Sequence, residues 1–491
     1  MSKTINSDIV VVGGGGSGLA AALQAAESGS DRVILLERRK SLGGNANFAN
    51  GIFAAETVVQ RQNMIDCDKD EIYRDVMKWN RYSTLVNPRI LRKWINKTAE
   101  TVDWLMEKGI EFEVGVRQRL HYHQNPCWHV VKGDGKLGRF NTALKIMREK
   151  AVTQGVEIIF DSNPRELLKE NGKVCGLIAE CGGEETKINA SAVIMCTGGF
   201  MGNEQWLKKY FPYYDPEAFG GLIVPYRGEG IELVAEAGGA LADSCTLVRE
   251  ACNTFAKDKG ITPSVRQPFC IWINKSGQRF VGEDVAPHSQ VASNALLRQP
   301  GALAWCLYDD SLINEVETKG FLLPHGPDCE FPFNFRQQLE DAAAENNDAV
   351  IKASSIEELA KQIGCPIHRL EKTIAENNRF YLEGYDEDFA KERRFLRIYE
   401  KAPYYAVKFS VLTVETIGPV IVDENMRVLQ NSGNPIPGLY SAGVMTTGWM
   451  AEDYCGDYLF GANLSYSLTS GRIAAKDAVF YTTEGGSLHE S

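Results

Sequence analysis

None of the 12 cysteines is spaced as Cys-x-x-Cys or Cys-x-x-Cys-His. That absence excludes the usual ligation of iron–sulfur clusters and the covalent attachment of haem. Cysteines scattered in this way are typically buried thiols of a reducing compartment. Histidine is scarce as well, at 7 residues. His121, His123 and His129 lie close together, yet their spacing matches no metal template and few carboxylates or cysteines surround them, so no metal is expected. No apolar stretch reaches the length of a membrane span. The opening Met1-Ser2-Lys3-Thr4-Ile5 runs straight towards a first strand and leaves no room for a signal peptide, which points to the cytoplasm. There is no long Lys/Arg run, and the formal net charge of −11 argues against a nucleic-acid partner.

What is present is ordinary globular composition, 44% hydrophobic and 24% charged, over 491 residues. At about 150 residues per domain, that length predicts two or three domains. Its sharpest local signal follows the apolar run Ile9-Val10-Val11-Val12. Gly13-Gly14-Gly15-Gly16-Ser17-Gly18 fits G-x-G-x-x-G, with the glycines at 13, 15 and 18. An Ala/Leu-rich helical stretch comes next, then a second apolar run, Val33-Ile34-Leu35-Leu36, ending in Glu37-Arg38. Gly13 permits a tight turn, Gly15 lets backbone approach a pyrophosphate, and Gly18 lets helix and strand pack closely. Free N–H groups at the helix start attract phosphate charge, and Glu37 is placed to accept from ribose hydroxyls.

Residues 54–112 look helical, with Leu91, Trp94, Thr98, Val102, Leu105 and Met106 near helical spacing. A helix over 142–154, a strand over 156–160 and a hairpin around Cys181-Gly182-Gly183 follow. After about residue 245 the pattern changes to short strands and mixed helix. The charged stretch 386–397 reads as solvated. Strand-like texture returns at 407–414, and a helix over 463–480 closes the chain. The expected organisation is a nucleotide domain in two pieces, 1–245 and 412–491, with a capping domain, 246–411, inserted between them.

Four features favour FAD over NAD. Leu42-Gly43-Gly44-Asn45 follows the acid closely, as though backbone must pass near a pyrophosphate and an isoalloxazine. Ala192-Val193-Ile194-Met195-Cys196-Thr197-Gly198-Gly199 is a buried strand ending in a glycine turn. Pro437-Gly438-Leu439-Tyr440-Ser441-Ala442-Gly443 is another. The last helix starts after Gly461-Ala462, so its N-terminal N–H groups are placed to face the flavin pyrimidine. The cofactor-binding candidates are Gly13, Gly15, Ser17, Gly18, Glu37, Arg38, Gly43, Gly44, Asn45, Ala46, Gly51, Pro164, Thr197, Gly198, Gly443, Asn463 and Leu464.

These motifs, in this order and over nearly the whole chain, resemble the flavoprotein family of soluble fumarate reductases, succinate dehydrogenase flavoprotein subunits and urocanate reductases. Ser465, Gly471-Arg472, Arg279-Phe280-Val281-x-Glu283 and Ala402-Pro403-Tyr404-Tyr405-Ala406 match its pattern. The resemblance implies an α/β fold (α+β overall), a Rossmann-like FAD-binding domain interrupted by a smaller α+β capping domain. It also implies hydride transfer at flavin N5 coupled to protonation of an activated carbon. Members that bind FAD covalently do so through a His near the second glycine pair. Here that region reads Asn45-Ala46-Asn47-Phe48-Ala49-Asn50, so noncovalent FAD is expected.

The departures bear on substrate. Dicarboxylate reductases of the family place a His pair before a Gly-Gly turn, where this chain reads Thr413-Val414-Glu415-Thr416-Ile417-Gly418-Pro419. Asp457-Tyr458-Leu459-Phe460-Gly461 replaces a segment that supplies Arg to a substrate carboxylate. Asp284-Val285-Ala286-Pro287-His288 lacks the family's proton-donating Arg, and Pro263 takes the place of an acid near Arg266. A charge-assisted hydrogen bond to a carboxylate is worth roughly 1.5–3 kcal/mol, so the missing cations argue against fumarate. Trp449, Tyr454, Tyr458 and Phe460, with Tyr122, Trp128 and Trp272, suit a flat, neutral, aromatic or polycyclic substrate instead.

Tyr458, at the position where the family has Arg, is the first candidate for proton donor. His288, Arg266, Asp457 and Tyr454 are the others. The expected reaction is C=C reduction or reductive dehydroxylation, with conversion of the isoflavan precursor tetrahydrodaidzein to equol by anaerobic bacteria as one instance. A dehydrogenase of ketosteroid type and a flavoprotein subunit of an electron-transfer complex are the alternatives. Electrons must come from outside the chain, from NAD(P)H, free reduced flavin or a donor protein.

Overall fold

A computed structural model describes residues 3–115, 126–133, 138–216, 219, 226–253, 255, 259–322, 334–345, 348–451 and 453–484. The first strand, Lys3–Val12, pairs in parallel with Val33–Leu36 on one side and Glu184–Met195 on the other. Glu157–Ile159 extends the sheet beyond Val33–Leu36, and Pro435–Ser441 with Arg427–Leu429 extends it beyond Glu184–Met195. The Val/Ile/Leu runs are buried on both faces, as strands of a parallel sheet covered by helices must be. The hairpin expected around residue 182 forms between Lys173–Cys181 and Glu184–Met195. Ser162–Glu170 adds an eighth strand that the sequence pattern does not announce, because its SNPRELLKE run is mostly polar.

The helix Gly16–Glu27 starts directly at the glycine loop and packs against the closing helix, Ala462–Thr483. Glycine enforces the close approaches. A Cβ on Gly18 would lie 1.7 Å from the Gly13 carbonyl oxygen, and one on Gly471 would lie 2.2 Å from that of Ser17. No other residue fits either position without moving backbone.

A second sheet, wholly antiparallel, comprises Thr246–Cys252, Tyr404–Ile417, Leu303–Tyr308, Ile271–Ile273 and Val350–Ala353. Its central strand, Tyr404–Ile417, pairs without a break across the expected 411/412 boundary, with Thr246 opposite Ile417. One irregularity interrupts it. Val248 opposes Glu415 while Arg249 opposes Thr413, so Val414 is an extra residue, a β-bulge.

The stretch 386–397 is not simply solvated. Asp386 and Lys391 are buried beside Arg279 and Glu283. Arg279 makes two bonds to Glu283, at 2.9 and 2.8 Å, and one to Asp386 at 2.8 Å. Lys391 donates to Glu283 at 3.1 Å, and the Trp272 N–H donates to the same carboxylate at 3.0 Å. Buried charges survive only when paired and hydrogen-bonded, and here each acid meets a base from a distant segment. The resemblance-bearing Arg279-Phe280-Val281-x-Glu283 motif thus fixes the turn that leads to His288. No helix among the described residues is long and apolar enough to cross a membrane.

Candidate functional site

The glycine loop, the second strand's end and the closing helix surround a cavity of about 450 Å³. All the cofactor-binding candidates line it except Gly18, Gly43 and Gly443. Those three shape it from behind. Gly18 packs under Gly13, Gly43 N–H donates to the Gly14 carbonyl at 2.8 Å, and a Cβ on Gly443 would lie 2.6 Å from Ser17 Oγ. The helix Gly16–Glu27 has no side-chain cap and no acid in its first turn, so its N-terminal N–H groups and dipole are left for an anion. Glu37 accepts from the N–H groups of Gly14 and Arg39, each at 2.8 Å, which fixes the acid at the loop.

Arg38, Arg39 and Arg165 are the cations of the lining among the described residues, and the first two follow Glu37 directly in the chain. Arg38 pairs with Glu229 at 3.0 Å, and Ser162 N–H donates to the Glu37 carbonyl at 3.1 Å, which brings the 162–165 segment alongside. The donor set fits FAD: a helix N-terminus for the pyrophosphate, an acid for the ribose, and a glycine cradle that a Cβ would fill.

Val414 and Glu415 line the cavity from the antiparallel sheet. Consecutive strand residues normally point to opposite faces, and the bulge at Val414 is what brings both to one space. Glu415 is buried, accepts from Asn45 Nδ2 at 2.7 Å and from the Thr416 N–H at 3.1 Å, and has no cation among these partners. Burial pushes its carboxyl up to about 7, and the two hydrogen bonds only partly oppose this. Asn45 N–H in turn donates to the Tyr226 hydroxyl at 2.9 Å, while Asn45 Oδ1 is buried with no partner in the protein. Tyr226 gives no periodic or motif signal in the sequence, and burial raises its phenol well above the ordinary range.

Of the catalytic candidates, Tyr458, Tyr454, His288 and Arg266 do not line this cavity. Tyr458 is buried and donates to Asp75 Oδ2 at 2.8 Å; burial and that hydrogen bond raise its pKa. The Tyr454 hydroxyl accepts from Asn463 N–H at 2.9 Å, at the first turn of the closing helix. Asp457 ends the short 3₁₀ turn Cys455–Asp457 between these tyrosines. His288 is buried at the start of Ser289–Leu297. Arg266 is buried against the cap strand, donating to Glu250 Oε2 at 2.5 Å and to the Ala251 carbonyl at 3.3 Å.

The aromatic residues divide between cavity and core. Trp128 and Phe460 line the cavity, with ring centroids 5.6 Å apart. Trp449 stacks on Tyr466 at 4.3 Å, and Trp272 packs on Phe409 at 4.8 Å, both fully buried. Tyr122, His121 and His123 lie outside the described residues. His129 is buried between Thr57 and the Cys127 carbonyl, and burial pulls it down to about 4. Among the described residues no group of three or more His, Cys, Asp or Glu is placed to hold a metal.

The comparisons with known proteins agree with this geometry. A family model described as an FAD binding domain matches residues 8–456. A vinyl phenol reductase of Lactiplantibacillus plantarum is 29% identical over 98% of both chains. A fumarate reductase (cytochrome) of Shewanella frigidimarina is 27% identical over 97% of this chain and 77% of its own length. The solved 3-ketosteroid-Δ4-(5α)-dehydrogenase of Rhodococcus jostii RHA1 superposes with a TM-score of 0.74 at 23% identity, covering 97% of each chain.

Proposed function

The chain belongs to the FAD-binding family of fumarate-reductase-type flavoproteins, an FAD-dependent oxidoreductase, and from that premise we propose that it reduces a C=C bond in a neutral, phenolic substrate. The carrying observation is the charge of the cavity wall. Its cations stand near Glu37, whereas the wall supplied by the bulged strand presents Val414 and an acid, Glu415. A dicarboxylate needs cations there, since a buried carboxylate without a partner loses several kcal/mol of solvation. Trp128 and Phe460 instead offer apolar faces to a flat ring. The vinyl phenol reductase, similar over its whole length, supports the same class.

In this reading residues 13–18 and Glu37 hold the FAD, noncovalently. The bound cofactor supplies two-electron chemistry, and the protein's part is to exclude water, orient the ring and hold a proton near the acceptor carbon. We place the proton donor among Tyr458, Tyr454, Asp457, His288 and Arg266, on the segments between the closing helix and the cap sheet. Residues 246–411 act as the cap, with 1–245 and 412–491 as the cofactor domain. The electron donor is external, NAD(P)H or a donor protein.

Anaerobic reoxidation of the reduced flavin by a substrate panel tests the proposal. 4-Vinylphenol and hydroxylated isoflavonoids should reoxidise it faster than fumarate or urocanate. Fumarate as the fastest oxidant would refute it. The second reading, a dehydrogenase of a neutral polycyclic ketone, draws on the fold shared with the steroid enzyme. Turnover of a saturated ketosteroid with a quinone acceptor, exceeding every reductive rate, would favour it.

A further inference from the structure

We propose that Glu415 determines specificity by accepting the hydroxyl proton of the substrate's phenol, an assignment that rests on the neutral-phenol reading above. Three observations carry it. First, the bulge at Val414 turns Glu415 into the cavity. Second, its carboxyl is buried with only two hydrogen bonds, one to each oxygen, and neither comes from a cation. Each carboxylate oxygen has room for a second donor. Third, Asn45, the residue that holds it, has a buried Oδ1 with no partner. Two acceptors thus stand together at the cavity wall: Asn45 Oδ1 has no donor, and the Glu415 carboxylate has room for more than its two. An anionic ligand adds a third set of acceptors and is repelled. A neutral O–H or N–H group is what the pair lacks.

Two sources offer such a donor: the substrate's phenolic hydroxyl and the imide N–H of the cofactor. Glu415 bonds Asn45 of the cofactor loop but is itself carried by the central strand of the cap sheet, and the phenol is assigned on that placement. The carboxyl's rise to about 7 is consistent with a group that carries no permanent countercharge.

The test uses the FAD-loaded enzyme. Binding of 4-ethylphenol and of its methyl ether, 4-ethylanisole, is followed by perturbation of the oxidised flavin spectrum, which needs no turnover. The wild type should bind the phenol at least about tenfold more tightly, the value of one hydrogen bond to a charged or buried acceptor. Glu415→Leu should bring the two within about twofold, and Glu415→Gln, which keeps an acceptor, should retain part of the preference. FAD affinity is measured in parallel by flavin fluorescence on apoprotein titration. A preference unchanged in both variants overturns the assignment. So does a preference that persists while FAD affinity falls tenfold, which gives the donor role to the cofactor. If Glu415→Leu does not fold, an unaltered phenol-to-ether ratio in Glu415→Gln overturns it alone. Should the wild type reduce neither vinyl phenol nor the isoflavonoids, the proposed function falls with it. Reduction of vinyl phenol with an unshifted ratio removes this inference only.

Discussion

Glu415 and His129 make stability depend on pH in opposite senses. An acid whose carboxyl is raised from 4.5 to about 7 keeps its proton longer in the fold than in the unfolded chain. Its contribution is therefore intact below about pH 4.5, falls as pH rises towards 7, and is then constant, a loss of about 3 kcal/mol at most. Glu415→Gln should accordingly raise the melting midpoint of the apoprotein at pH 8 by a few degrees over the parent, with the gap shrinking at pH 5. A gap independent of pH would show that the buried carboxyl does not titrate as described. His129, lowered from 6.5 to about 4, contributes fully above pH 6.5, and its share is lost as pH falls towards 4. In Glu415→Gln that acid-side slope should stand uncovered. Tyr458 gives a third residue-level prediction. Tyr458→Phe should lower turnover ten-fold or more with FAD still bound; near-normal turnover would remove Tyr458 as proton donor and leave its hydroxyl a structural role such as the Asp75 hydrogen bond.

The elements around the cavity are held by devices of different visibility. The glycine loop and its flanking strands are plain in the sequence, because glycine spacing and apolar runs are local signals. The Arg279, Glu283, Lys391 and Asp386 network is not, since its members come from segments about 100 residues apart and charge alone reads as solvation. The Asp75 partner of Tyr458, 383 residues away, is hidden for the same reason. Glu283 is fully buried and held down to about 2, opposed by desolvation and drawn by Arg279 and Lys391. Glu283→Gln should therefore destabilise the chain by about 3–5 kcal/mol, because buried Lys391 loses its carboxylate and Arg279 keeps only Asp386. Urea denaturation followed by tryptophan fluorescence measures this, and a loss below about 1 kcal/mol would contradict the network's role. Tyr226 is illegible for another reason: a lone aromatic in irregular chain has neither period nor motif, and only its bond from Asn45 discloses its place.

For the whole molecule, the FAD-binding domain ties stability to its cofactor. FAD at 100 times its dissociation constant should stabilise the fold by about 2.7 kcal/mol, seen as a higher melting midpoint for holo- than apoprotein. Trichloroacetic acid precipitation should leave the flavin in the supernatant; colour retained in the washed pellet would mean a covalent link. The fold class is readable in the sequence, but the joint at residues 412–417, where the central strand of the cap sheet continues past the expected boundary, is not, because its pairing joins residues such as Thr246 and Ile417, far apart in sequence. That joint carries the extra residue Val414. Up to Thr413 the strand keeps the inside–outside parity of the cap, and from Glu415 onward it keeps a parity of its own. Losing Val414 would act as a frameshift in space rather than in code: the reading frame of the chain would be preserved, while every side chain beyond it would be read from the wrong face.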